Sequence, residues 1–184
     1  MQTNRRNTSR SAIPLKWYSG LMLCSVFVLC SFQAGNRDNE YKLKAAFLYN
    51  FIQYIDWGTV STNEYTICMV GSSPIEAPLR EIAMTRKDSD KKIKICHYRS
   101  VSEIGFSNIL FVSKDVEESL DIILAKVPKG TLVVGEKPGC AQDGAAMNFV
   151  IIDNKLKFES NLKALSTAGL KASSQLLKLA IIKE

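Results

Sequence analysis

The sequence predicts an α/β fold: a single compact three-layer domain with a mostly parallel sheet, a C-terminal antiparallel hairpin, and helices on both faces. Three observations lead there. Short runs rich in Val, Ile and Phe alternate with stretches of helical periodicity, the pattern of strand–helix units. One run, Asn108-Ile109-Leu110-Phe111-Val112, is apolar almost throughout, as a central strand covered on both faces must be. Late in the chain two such runs flank Asp153-Asn154 with only that pair between them, the spacing of a tight hairpin.

The domain opens with a helix over Glu40 to Trp57, a stretch without Gly or Pro. Leu43, Phe47, Phe51 and Tyr54 form one apolar stripe, and Tyr41, Ala45, Leu48, Ile52 and Ile55 a second beside it. So wide an apolar arc predicts contact on more than one side. Most of these positions read as core. Tyr49, Tyr54 and Trp57 are the candidates for a sticky surface that meets a partner.

A polar turn from Gly58 to Glu64 precedes the first strand, Tyr65 to Val70. Gly71-Ser72-Ser73-Pro74 follows. Ser73 is placed to cap a helix, with Pro74 first and Glu76 completing a capping box, and the helix runs to about Met84. After a charged loop, Thr85 to Lys92, come a strand at Ile93 to His97 and one helical turn at Val101 to Gly105. The central strand at 108–112 is next. Ser113 is placed to cap a helix reaching Val127, with Val116, Leu120, Ile123, Leu124 and Val127 as its buried stripe. Thr131 to Val134 is a fourth strand, and Gly135 to Gly144 a glycine-rich loop. Met147 to Ile152 and Lys155 to Glu159 form the hairpin. The chain ends in helix: Asn161 to Ala168, a break at Gly169, then Ser173 to Ile182.

The net charge of +6 comes mostly from the first 35 residues. Arg5, Arg6, Arg10 and Lys16 lie there with no acid, and the remainder is only +2. A domain so nearly neutral has no electrostatic reason to bind nucleic acid. The basic head, followed by the apolar run Leu21 to Cys30, reads as an export segment (residues 1–35) ahead of a domain at 36–184. The run is short for a membrane span. Bulky Leu23 and Leu29 precede Cys24 and Cys30, where a lipid-modified cysteine usually has a small neighbour. A periplasmic protein is the expectation, with lipid attachment or an uncleaved anchor as the alternatives.

Three cysteines follow the leader: Cys68, Cys96 and Cys140. None lies in a CxxC, and buried reduced thiols are the default reading. They remain the candidates for redox chemistry. No metal set and no catalytic set stands out. His97 is the chain's single histidine and lacks a nucleophile and an orienting partner in sequence. The acids are scattered. The sequence therefore argues against an enzyme and implies no cofactor. The turn Gly71, Ser72, Ser73 lies where open sheets bind ligands, between a strand end and a helix start, but it matches no phosphate-loop spacing. Asn148 and Phe149 in M-N-F, with Glu159 and Asn161 in F-E-S-N, flank one hairpin and can gather at one edge of the sheet.

Several segments together resemble the YfiR-like family of bacterial periplasmic proteins. They are Y-K-L-K-A-A-F-L-Y-N-F-I-Q-Y-I-D-W (41–57), I-C-M-V-G-S-S-P (67–74), N-I-L-F-V-S (108–113), A-A-M-N-F-V (145–150), L-K-F-E-S-N (156–161) and A-G-L-K-A-S-S-Q-L-L-K-L-A (168–180). The resemblance implies a compact α/β sandwich and a regulator without catalytic activity. Such a regulator binds the extracytoplasmic domain of an inner-membrane diguanylate cyclase, lowers cyclic di-GMP, and is sequestered by an outer-membrane lipoprotein. Dimers are known in the family. A membrane histidine kinase is the other partner to weigh, and a small-ligand sensor or a thiol-redox sensor are the rival functions. Gly71, Ser72, Ser73, Glu159 and Asn161 would serve a ligand; Tyr49, Tyr54, Trp57, Asn148 and Phe149 a partner. The chain departs from the family at its cysteines. Cys68 matches the family's first-strand cysteine, but Ser107 stands at the second position and only Cys140 remains near the glycine loop. A Cys68–Cys96 bridge would require neighbouring strands and Cα atoms within roughly 7 Å.

Overall fold

The computed structural model describes residues 37–58, 64–86 and 91–183. The expected export segment, most of the turn after Gly58 and most of the charged loop before Lys91 lie outside the described residues. In chain order the elements are helix α1 (37–54) and strands β1 (Ile55–Asp56) and β2 (Glu64–Val70), then α2 (Glu76–Thr85), β3 (Lys92–Tyr98), a 3-10 turn at Val101–Glu103, and β4 (Ile109–Val112). They continue with α3 (Leu120–Leu124), β5 (Leu132–Gly135), the hairpin β6 (Met147–Ile152) and β7 (Lys155–Asn161), α4 (Leu162–Thr167), β8 (Lys171–Ala172), α5 (Ser174–Leu177) and β9 (Ile181–Lys183).

Among the described residues the main sheet has the order β3-β2-β4-β5-β6-β7-β9. Strands β3 through β6 run parallel, β7 returns antiparallel to β6, and β9 lies parallel to β7. Because β3 and β4 flank β2 on opposite sides, the winding reverses between β2 and β4, where doubly wound sheets open a crevice at their carboxyl ends. A second, two-stranded sheet pairs β1 antiparallel with β8.

Alternation along the strands builds two cores. Ile67, Met69, Ile109, Phe111, Val134, Met147 and Phe149 face one side, against Ala45, Leu48, Phe51 and Ile52 of α1, Leu79 of α2 and Leu165 of α4. Cys68, Val70, Leu110, Val112 and Val133 face the other, against Val101, Val116, Ile123 and Cys140. The second apolar stripe expected of α1 is wholly buried. Phe51 stands edge-on to Phe158 at 5.2 Å and stacked on Phe149 at 6.1 Å. Each fully buried side chain of this size stabilises the fold by about 1.5–3 kcal/mol. The first stripe divides: Phe51 is buried, while Leu43 and Tyr54 stay exposed. Asp153 and Asn154 both take positive φ, 51° and 56°, as the two-residue hairpin turn requires.

Four helices differ from the sequence reading. α1, expected to reach Trp57, ends at residue 54, and Ile55–Asp56 leave it to pair with Lys171–Ala172. α2 begins at Glu76 without a side-chain cap: Ser73 closes a turn ahead of it, its Oγ accepting the Ile75 amide and its carbonyl the Glu76 amide. The helix expected from Ser113 shrinks to α3, which starts after Ser119 with no side-chain cap, because Asp115 is drawn away to the turn after β2. The helix expected over Ser173 to Ile182 is one turn only: Ile181–Lys183 pairs with Glu159–Asn161 as an edge strand. Sheet pairing there outweighs helical periodicity.

Candidate functional site

The carboxyl ends of the parallel strands carry a chain of polar groups. At the end of β2, Gly71 takes φ +83°, and a Cβ there would stand 2.4 Å from Asp115 Oδ1. Only glycine lets the backbone approach so closely. The amide of Ser72 donates to both Asp115 oxygens, at 2.8 and 3.0 Å, and Ser113 Oγ donates to the Ser72 carbonyl at 2.8 Å. Partial burial works to raise the Asp115 carboxyl, but the Ser72 amide and Ser113 outweigh it and hold the pKa below the usual 3.8. The turn that could cradle an anion thus holds the chain's own carboxylate.

Beside it, Lys44 of α1 reaches the residue after β5. Its Nζ lies 2.7 Å from Glu136 Oε2 and 2.6 Å from Glu40 Oε1, and the Lys44 and Glu136 side chains are 6 % and 1 % exposed. Glu136 Oε1 also accepts the Lys114 amide at 3.2 Å, with Ser113 Oγ 3.4 Å away. Burial works to lower the Lys44 pKa, yet the hydrogen bonds and charges of Glu136 and Glu40 prevail, so it lies above 10.5. Lys137 donates to the Val116 carbonyl. The sequence reading missed Lys44, Glu136 and Asp115. Lys44 had a readable signal: it lies three after Tyr41 and four before Leu48, on the buried stripe, where a lone lysine needs a partner.

The hairpin residues do converge. Asn148 Nδ2 donates to Glu159 Oε2 at 3.0 Å, and Lys183 of β9 stands 3.1 Å from Glu159 Oε1. Asn148 Oδ1 is buried and has no hydrogen-bond partner among the described residues. Asn161 Nδ2 donates to the Ala141 carbonyl, and its Oδ1 accepts the Ala164 amide as the cap of α4. The glycine loop lies close above: a Cβ on Gly135 would meet Cys140 Cβ at 2.7 Å. Gly71, Ser72 and Ser73 belong to the other cluster, beside Asp115, so the structure divides the candidate ligand residues between two places.

The candidate aromatics are also divided. Tyr54 is 40 % exposed. Tyr49 is half-buried beneath the Arg86 guanidinium, 5.5 Å away. Trp57 is 9 % exposed, with Nε1 donating to the Ile52 carbonyl and its ring 6.0 Å from Tyr65. Phe149 faces the core.

Cys68 and Cys96 correct the expectation of reduced thiols: they form a disulfide, with Cα atoms 4.5 Å apart. The physical reason is register, since they pair directly across β2 and β3. Cys140 is free and buried. Burial pushes its thiol up, and Asp143 and Glu159 add to that against Lys137, the opposite of an activated nucleophile. His97 is 41 % exposed, with Nδ1 3.9 Å from Glu76. Among the described residues no three His, Cys, Asp or Glu side chains group as a metal site, and no helix is long and apolar enough to cross a membrane.

The site thus sits in a disulfide-linked, doubly wound α/β domain whose strand-end charges are held by one another and by backbone amides. The profile of DUF4154, described as YfiR/HmsC-like, matches residues 41–181, and the chain belongs to that family. No curated protein matches it. Among solved structures it is similar to a conserved domain protein from Vibrio cholerae O1 biovar El Tor, at 11 % identity and TM-score 0.53, over 78 % of this chain and 60 % of that one. It thus spans three-fifths of that protein's length, and the likeness concerns the fold. An ABC domain in complex with L-Trp from Streptococcus pneumonia matches at 13 % identity, over 64 % of this chain and 54 % of that one, with a TM-score of 0.46.

Proposed function

We propose that this protein is an exported regulator that binds the extracytoplasmic domain of an inner-membrane signalling enzyme, a diguanylate cyclase before a histidine kinase, and restrains its output of cyclic di-GMP. The family match over residues 41–181 carries the reading. The Cys68–Cys96 disulfide supports the compartment, because such bridges persist outside the reducing cytosol. The strand-end groups support binding over turnover. Lys44 and Glu136 spend their charges on each other, Asp115 accepts the Ser72 amide, and Glu159 is held by Asn148 and Lys183. The contact surface is the outer face of α1, where Leu43, Asn50 and Tyr54 are exposed and recur at helical spacing. Trp57 and Phe149 act from beneath as its support.

The test is photo-crosslinking in cells from position 54, with exposed position 122 on α3, which packs against the other face of the sheet, as control. Capture at 54, but not 122, of an inner-membrane protein with a cyclase or kinase domain is expected. Equal capture at both positions, or capture of no membrane protein, contradicts the reading.

A further inference from the structure

The β6–β7 hairpin outruns the sheet. β5 pairs with β6 no further than Gly135↔Asn148, and β9 meets β7 only from Glu159 onward. Residues 149–152 and 155–158 therefore form a two-stranded arm with no strand on either side among the described residues. Its base is anchored: Phe149 and Phe158 stand 5.2–6.1 Å from Phe47 and Phe51 of α1. Its outer half is bare. Ile151 pairs with Leu156 on the face that carries the two phenylalanines, and Ile152 pairs with Lys155 on the other. Ile151 is 52 % exposed and Ile152 38 %, beside the Asp153-Asn154 turn. Apolar side chains shown to water on both faces of a bare ribbon mark a contact site, because the ribbon gains nothing from them itself.

Shape and charge select the occupant. A stable protein–protein contact buries about 800 Å² on each partner. The arm ends instead in a convex tip of two isoleucines. Lys155 and Lys157 stand exposed on the returning strand and form no ion pair among the described residues. Asp153 is the only acid between residues 149 and 158. An apolar point with a basic collar suits a bilayer surface, where apolar groups enter the boundary of headgroups and acyl chains and lysines meet anionic headgroups. The unpaired backbone edges of the arm keep such docking shallow, since they must stay within reach of water.

We propose that the tip of this arm docks on an anionic lipid bilayer, with Ile151 and Ile152 in the headgroup–acyl boundary and Lys155 and Lys157 at the headgroup phosphates. The association is weak and reversible. It uses none of the exposed α1 residues and requires no partner protein, so it stands independently of the regulatory reading.

The experiment is co-flotation of the domain at 36–184 with vesicles of equal parts phosphatidylcholine and phosphatidylglycerol, and in parallel with phosphatidylcholine alone. Half of the protein should float at about 1 mM accessible lipid, roughly tenfold weaker than a single acyl anchor. Phosphatidylcholine alone should bind about tenfold less or weaker still, each lysine near an anionic surface being worth about fivefold. Ile151→Thr with Ile152→Thr, which keeps β-branched side chains in the strand, should abolish flotation and leave the urea midpoint in place. Lys155→Gln with Lys157→Gln should weaken it about tenfold or more, and raised salt should weaken the wild type. Three results overturn the proposal: no flotation at about 5 mM anionic lipid; flotation that survives the change at Ile151 and Ile152; or, in cells, photo-crosslinking from position 152 that captures a protein and no lipid.

Discussion

Lys44 Nζ stands 2.7 Å from Glu136 Oε2 across 92 residues of sequence, and neither side chain has appreciable contact with solvent. This pair ties the opening helix to the carboxyl end of the central sheet, so the proposed contact face of α1 and the strand-end cluster are held as one body. Removing one partner leaves a buried charge uncompensated.

Lys44→Ala or Glu136→Ala should therefore destabilise the domain by about 3–5 kcal/mol. The double change to Lys44→Met with Glu136→Leu should cost less than the sum of the single ones, because it leaves no orphan charge. The pH dependence has a definite sign. The folded-state pKa of Lys44 is raised, burial that would lower it being outweighed by Glu136 and Glu40. Its contribution is fully present below 10.5 and is lost as pH rises through the folded value. Urea midpoints of wild type and Lys44→Met should keep their separation through neutral pH and converge only in strong alkali.

Asp115 behaves in the opposite sense. Burial favours its neutral form, but the Ser72 amide and Ser113 win and lower the pKa below 3.8. The contribution is present above that value and is lost as pH falls through the folded one. Asp115→Asn should unfold at lower urea than wild type at neutral pH, and the difference should vanish in acid. Gly71→Ala should be worse than Asp115→Asn, since it forces an unfavourable φ and a 2.4 Å approach to the carboxylate.

The disulfide predicts a thiol count. Unfolded without reductant, the domain at 36–184 should titrate one thiol, Cys140, and after reduction three. In the folded domain Cys140 should label slowly, being buried with a raised pKa. The bridge spans 28 residues, so Cys68→Ala with Cys96→Ala should cost about 2–4 kcal/mol by urea unfolding, as should reduction of the wild type.

The aromatics of α1 separate folding from recognition. Trp57→Ala should lower stability by about 3–5 kcal/mol, as loss of a buried aromatic does. Tyr54→Ala should leave the melting point within a degree or two and reduce capture of the membrane partner about tenfold or more. A Tyr54→Ala protein that captures its partner normally would move the contact off this face.

The strands were readable because burial on both faces writes itself as continuous apolar runs, as at Ile109–Val112, and the hairpin because Asp153-Asn154 supplies the required turn. The helix ends were less so. Ser113 and Asp115 look like a cap and first turn, yet their side chains serve Ser72, 41 and 43 residues earlier. Residues 181–183 keep a helical pattern but find an open edge at β7. The disulfide was hidden for a related reason: Ile67-Cys68 and Ile95-Cys96 carry the same phase, but which strands are neighbours is a matter of topology. The site behaved alike. Asn148, Glu159 and Asn161 converge because a hairpin is local, whereas the Lys44–Glu136 pair is long-range and left only the misplaced lysine as a trace.

Cyclic di-GMP measured in cells that lack the gene tests the regulatory reading most directly, with cells resupplied with the wild-type exported protein alongside. The nucleotide should rise on deletion and return on resupply, but not on resupply with Tyr54→Ala. An unchanged level in all three would contradict the account.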